Sequence, residues 1–166
     1  MPAKPQVALL PTLRVMAGTS MRLYAQNLFT ALDQQGEVAV QVAEPPCGGG
    51  NHAGPWRSRW LRYVRYPQWC QRVRADLYHI TDHANAQLLL VLPSGRTAVT
   101  CHDLYPVAVV WGALRYPGSD TPAVLLASAL RLQLLRGASA VICISQHTFA
   151  ECNRFLGIDR RRMFLA

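Results

Sequence analysis

The best-placed ionisable side chains in this chain are neighbours, His102 and Asp103, in the stretch AVTCHDLYP. Four residues suited to a buried strand run directly into the pair, and Pro106 follows soon after. A histidine at the carboxyl end of a strand can hydrogen-bond a sugar hydroxyl or exchange a proton near neutral pH. It can equally cap the sheet edge, and the two readings weigh evenly. Asp103 points the opposite way if the strand geometry continues, so the two need not work as a dyad. Two further features fall beyond strand ends. Gly18-Thr19-Ser20 precedes a helix whose first amides could receive a phosphate, with Gly18 permitting close approach; an ordinary capped turn fits as well. Ser145 opens another helix, where N-capping is the favoured reading.

The motif HITDH places His79 and His83 four apart, the spacing of a helical metal pair. The segment reads as a strand and its exit, however, where that spacing spans ~13 Å. It also lacks the glutamate of H-E-x-x-H, so no metal site is expected. Asp82 and His83 remain candidates to line a cleft at the strand's end. His52, in a loop, and His147, in a helix's first turn, read as solvated. No serine sits on a nucleophile elbow.

A different chemistry belongs to WRSRWLRYVRYPQWCQRVR, residues Trp56–Arg74, in which six arginines alternate with Trp56, Trp60, Tyr63, Tyr66 and Trp69. One reading is a solvated basic face whose aromatics pack on a sheet. Another is contact with an anionic membrane surface through Arg57, Arg59, Trp60, Arg62, Arg65 and Trp69. Stacking on single-stranded nucleic acid is the third and least favoured.

The elements that must position these residues alternate short apolar runs with helix-period segments, which predicts β-α-β units and a parallel sheet. Expected strands are Val7–Leu10, Val38–Val42, Asp76–Thr81, Thr97–Cys101, Ala140–Ile144 and Met163–Ala166. A helix is expected from Met21 to Gln34, burying Tyr24, Leu28, Ala31 and Leu32, with Thr19 or Ser20 as cap and Gly36 as stop. Pro45–Pro55 reads as a loop, and Pro67 is expected to split the arginine-aromatic stretch into two short helices. Ala84–Leu92 is a short helix, Thr121–Arg136 a longer one with Pro122 in its first turn, and Ser145–Leu156 a third closed by Gly157. The segment around Trp111, Gly112, Pro117 and Gly118 reads as irregular. In such a sheet all strand carboxyl ends lie along one edge, where residues distant in sequence converge.

The composition fits. At 166 residues the chain has the size of one domain, and 51% apolar residues exclude a disordered chain. No apolar run approaches the ~20 residues of a membrane span, and the interrupted N-terminal run reads as a first strand, not a signal, so a cytoplasmic protein is expected. Five scattered cysteines without a Cys-x-x-Cys read as reduced and structural. The net charge of +8 is carried by arginine apart from Lys4, and favours an acidic partner. The chain stops in its sixth strand, where a doubly wound sheet would be expected to continue, so a fragment of a longer protein is expected.

Four stretches together resemble the N-terminal domain of glycosyltransferase family 4, retaining enzymes of the GT-B fold. They are GTSMRLYAQNLFTALDQQG (Gly18–Gly36), ADLYHITDHANAQLL (Ala75–Leu89), RTAVTCHDLYP (Arg96–Pro106) and GASAVICISQHTFAECNRFLGI (Gly137–Ile158). The resemblance implies an α/β, Rossmann-like, doubly wound and mostly parallel sheet with helices on both faces. Residues 1–166 would form the acceptor-side domain, facing a donor-binding domain not contained in this chain. It implies a nucleotide-sugar donor, no metal or other cofactor, and a glycan or lipid-linked acceptor. Gly18 would approach the donor phosphates or the transferred sugar, with Thr19 and Ser145 nearby. His102 would contact that sugar near the reacting carbon, and Asp103 would support the loop. Relatives dock on membranes through basic helices of this domain, and Trp56–Arg74 is similar in position and composition. The family's paired glutamates (E-x7-E) belong to the missing domain, and the glycine loop has one glycine where many relatives have two. This chain alone is therefore expected to bind donor poorly and not to turn over.

Overall fold

The computed structural model describes residues 3–14, 19–46, 54–115 and 121–166. Six strands, β1 (Gln6–Leu10), β2 (Ala39–Val42), β3 (Leu77–Ile80), β4 (Thr97–Cys101), β5 (Ala140–Cys143) and β6 (Met163–Leu165), form one sheet in the order β2-β1-β3-β4-β5-β6. Every pairing is parallel. The winding reverses at β1, so the topological switch point, where open α/β sheets bind ligands, lies between β1 and β3. Strands buried on both faces favour continuous apolar sequence, which VALL supplies; β4, TAVTC, is buried throughout but includes Thr97 and Thr100, and β5, AVIC, alternates half-buried and buried residues.

The two faces are covered unequally. Ala8, Leu10, Tyr78, Ile80, Val99, Cys101, Val141 and Cys143 point to the main core. There they meet helices α3 (Tyr66–Cys70), α4 (Tyr105–Val110), α5 (Pro122–Leu132) and α6 (Gln146–Leu156) through Tyr66, Val107, Ala129 and Cys152, with Leu61 from a π turn and Leu88 from a 3-10 segment, His83–Leu90; α2 (Pro55–Trp60), which precedes the π turn, buries no residue. Cys70, Cys101, Cys143 and Cys152 are free and buried, and the last three touch with Sγ–Sγ separations of 3.7 and 3.9 Å. They pack as small hydrophobes, as expected, and burial pushes the Cys70 thiol up to about 12. Cys47 lies outside the described residues.

The opposite face carries α1 (Thr19–Gln35). Only Ala25 of this helix is fully buried; Tyr24, Leu28, Phe29 and Leu32 are half-buried, and Ala31, expected in the core, is exposed. The apolar stripe is rotated by part of a turn from the expected one because Ala25 and Phe29 face the sheet. Gly36 ends the helix at φ +67°, and Gly157 ends α6 at φ +62°, backbone conformations that favour glycine.

Pro67 does not split the arginine-aromatic stretch. α2 passes without a break through a π turn, Leu61–Arg65, into α3; the Tyr66 amide donates to the Leu61 carbonyl, five residues back. Proline lacks an N–H and crowds the preceding turn, and the wider π turn accommodates both. The strong helix expected to reach Arg136 ends at Leu132 and tightens into a 3-10 segment, Gln133–Gly137. Tyr105–Val110, where no helix was expected, forms α4, with Pro106 in its first turn.

Candidate functional site

Register builds the site. Leu10 pairs with Ile80 and Ile80 with Val99, so Pro11, Thr81 and Thr100 stand level along the carboxyl edge. β4 runs further, and Cys101 pairs with Cys143, bringing His102 level with the start of α6. Four parts of the chain hold His102 there. Its amide donates to His83 Nδ1 at 3.2 Å, and its carbonyl accepts from Thr148 Oγ1 at 3.2 Å. Its Nε2 lies 3.0 Å from the Thr81 carbonyl. The Tyr24 ring, from α1, meets the imidazole edge-on with centroids 5.1 Å apart.

These contacts fix protons. A carbonyl only accepts, so His102 Nε2 carries the hydrogen, and in the neutral ring Nδ1 carries the lone pair. His83 Nδ1 accepts the amide hydrogen, so neutral His83 carries its proton on Nε2, 3.9 Å from Asp103 Oδ1. Burial holds the His83 pKa below the ordinary histidine value; His102 and Arg131 act in the same direction, and Asp82 and Asp103 oppose them. His83 therefore stays neutral and keeps accepting.

Asp103 is exposed, and its Oδ1 accepts from the Tyr105 amide at 3.1 Å, which starts α4. Asp82, expected to line the cleft, has a structural task. It is buried, takes the Ala84 amide at 2.8 Å and the Thr12 hydroxyl, and caps the 3-10 segment. Asn85 Nδ2 extends this network to Thr12 Oγ1 at 3.3 Å. Ser145 Oγ accepts from the Thr148 amide at 3.1 Å, the capping arrangement, and so orients the threonine that holds His102. Thr19 opens α1, and Gly18 lies outside the described residues.

His79 and His83 do different work. His79, on the α1 face, has Nε2 2.8 Å from Thr100 Oγ1, which also meets Tyr24 Oη at 3.1 Å. Burial lowers its pKa to about 4. His147 is exposed and lies 3.3 Å from Glu151, and His52 falls outside the described residues. Among the described residues no group of three or more His, Cys, Asp or Glu could hold a metal ion. No described helix is long and apolar enough to cross a membrane.

Along the arginine-aromatic helix, Arg57, Arg59, Trp60 and Arg65 are exposed. Arg59 lies over Trp56, 5.7 Å from the ring centroid, and Arg65 over Trp60 at 5.9 Å. Of the residues assigned to that outer face, Trp69 is half-buried, and Arg62 turns inward, with Nη2 donating to the Ala84 carbonyl. Arg62 is turned there within the π turn itself, whereas Trp69 follows the turn and lines a surface pocket with Trp60 and Arg65. Sequence reasoning also missed Tyr24, Thr81 and Thr148 as supports of His102. Only Thr148 had a signal, its place three residues after the capping serine.

An open parallel α/β sheet with a clamped histidine at its carboxyl edge, at the end of β4, defines a domain of the doubly wound class, in which ligands bind along that edge. Residues 17–165 match Glycosyltransferase Family 4, and the chain belongs to that family. Phytolacca americana UGT2, solved with UDP-2-fluoro-glucose and pterostilbene, superposes with a TM-score of 0.59 at 7% identity over 99% of this chain and 53% of its own. A UDP-glucosyltransferase from Polygonum tinctorium capable of glucosylating indoxyl, solved with 3,4-dichloroaniline, gives a TM-score of 0.56 at 11% identity over 99% and 51%. The chain thus spans about half the length of these structures and shares the Rossmann-like fold of GT-B glycosyltransferases. No curated protein matches the sequence.

Proposed function

We propose that this chain is the acceptor-side half of a retaining, nucleotide-sugar-dependent glycosyltransferase whose acceptor is a glycan or a lipid-linked precursor. The observation that carries the reading is the fourfold clamp on His102. A histidine merely ending a strand needs no such support, whereas one that must meet a sugar at a fixed place does. In this reading His102 touches the transferred sugar, with Nδ1 as its acceptor atom, and the site works by position and charge stabilisation of an oxocarbenium-like transition state. The donor is held mainly by a second domain, with Gly18 and Thr19 approaching it from this side. No metal takes part in this scheme.

The test is transfer by the full-length protein carrying His102→Ala. Turnover is expected to fall by about two orders of magnitude or more with the melting temperature little changed. Unchanged turnover overturns the assignment. A second reading, a binding module that docks on an anionic membrane, is favoured by one feature. Trp56 is 80% and Trp60 50% exposed, and each has an arginine against its ring.

A further inference from the structure

The inward turn of Arg62 brings it close to a second arginine. The π turn Leu61–Arg65 and the last turn of α5 place two guanidinium groups on one phenol: Arg62 Cζ lies 5.6 Å from the Tyr63 ring centroid, and Arg131 Nη1 donates to Tyr63 Oη at 2.8 Å. Their other contacts are neutral. Arg62 Nη2 donates to the Ala84 carbonyl, and Arg131 Nη2 to Ser128 Oγ at 3.4 Å. The Nε of each is buried without a hydrogen-bond partner among the described residues. Neither arginine belongs to an ion pair among those residues. Asp82 favours the charged Arg62 electrostatically, but it makes no ion pair with it and its oxygens accept from Thr12 and Ala84.

Two partly buried like charges without a paired anion are costly, and a half-buried guanidinium ordinarily finds a carboxylate or phosphate. Burial and the Arg131 charge both lower the Arg62 pKa, in keeping with that strain. Ala84 follows His83, whose ring holds the His102 amide, so the arginine pair and the candidate catalytic histidine share one loop at the exit of β3.

We infer that Arg62 and Arg131 form an anion subsite beside the loop at the exit of β3, built for a phosphate group and completed by charge-assisted bonds to the two guanidinium groups. A planar guanidinium offers two parallel donors to a phosphate, which a lysine does not. That the phosphate belongs to the acceptor rests on the functional reading above, in which the donor is held by another domain. The acceptor class is then a phosphorylated or diphosphate-linked molecule.

The test uses inorganic phosphate and pyrophosphate with the wild-type protein and with Arg62→Gln, Arg131→Gln, Arg62→Lys and Arg131→Lys, read by thermal shift and titration calorimetry. Pyrophosphate is expected to stabilise the wild type. Each glutamine variant is expected to bind it about ten- to a hundredfold more weakly while keeping its unliganded melting temperature, and the lysine variants to fall between. Protection equal in wild type and glutamine variants, or none in the wild type, overturns the subsite. Where a glutamine variant loses its fold, the lysine variant of the same residue decides by the same comparison. Vesicles of phosphatidylcholine with and without phosphatidic acid separate the two sources of phosphate. Loss of phosphatidic acid binding in the glutamine variants, alongside loss of pyrophosphate binding, assigns a lipid-borne phosphate; loss of pyrophosphate binding alone assigns a soluble one. Pyrophosphate binding does not require turnover, so an active His102→Ala enzyme would refute the functional reading and leave this result standing.

Discussion

The imidazole of His83 never needs to touch a ligand to matter. Its Nδ1 takes the His102 amide hydrogen, and that bond fixes the backbone from which the His102 ring projects. His83 is therefore a positioning residue, and its chemistry is acceptance at one atom. Asparagine offers a carbonyl oxygen in a place similar to Nδ1, whereas phenylalanine fills the space and accepts nothing. In the full-length enzyme His83→Phe is expected to lower kcat by roughly ten- to a hundredfold, the scale of about 1.5–3 kcal/mol for a misplaced reacting group, with KM nearly unchanged. His83→Asn should recover most of the loss. Equal damage from both variants would make His83 a packing residue. Of this cluster the sequence displayed His102, Asp103 and His83, because ionisable residues at strand ends are visible in a linear reading. Thr81, Thr148 and Tyr24 were not, since a hydroxyl and a phenol become supports only when register and helix phase bring them to the same point.

At the scale of elements, legibility followed local pattern. β4 and β5 were readable because short, β-branched-rich runs without charged residues (TAVTC, AVIC) stand out from the helix-period segments around them. α4 was not, since six residues give too few turns for a period, and its opening Tyr105-Pro106 has the look of a loop until Asp103 is seen to hold the Tyr105 amide. The π turn was hidden for a related reason: nothing local announces it, and only Pro67 required a wider turn there. Its consequence is a change of phase that divides one basic stretch between two tasks. Arg62 faces the body of the domain, while Arg59 and Arg65 lie against exposed tryptophans. If the outer face docks on anionic lipid, Arg59→Glu with Arg65→Glu should abolish co-sedimentation with phosphatidylglycerol vesicles, since each basic side chain near the surface contributes about 1 kcal/mol. The same variant should bind pyrophosphate as the wild type does. Vesicle binding that ignores both reversals would remove the electrostatic case for this face.

The described residues are arranged asymmetrically, with four α-helices (α3–α6) packed into the core on one face of the sheet and α1 on the other. α1 is tied down by a polar stitch, Tyr24 to Thr100 to His79, in which His79 is 6% exposed. The same Tyr24 ring braces His102, so the anchoring of α1 and the geometry of the candidate site depend on one arrangement. Its dependence on pH has a definite sign. Burial lowers the folded His79 pKa to about 4 from its ordinary 6.5, so between those values the unfolded chain binds a proton that the folded chain excludes. This contribution is complete above about pH 6.5 and is lost progressively as the pH falls toward 4, by about 3 kcal/mol at most at about 1.4 kcal/mol per pKa unit. Thermal melts at about pH 7.5 and about pH 4.5 should therefore show a larger fall for the wild type than for His79→Gln, which can still bond Thr100 but does not titrate. Tyrosine and amide exchange should show α1 loosening first in the wild type, because fewer buried contacts hold it than hold the helices of the opposite face. An identical fall in both proteins would place the acid sensitivity elsewhere and leave α1 anchored by packing alone.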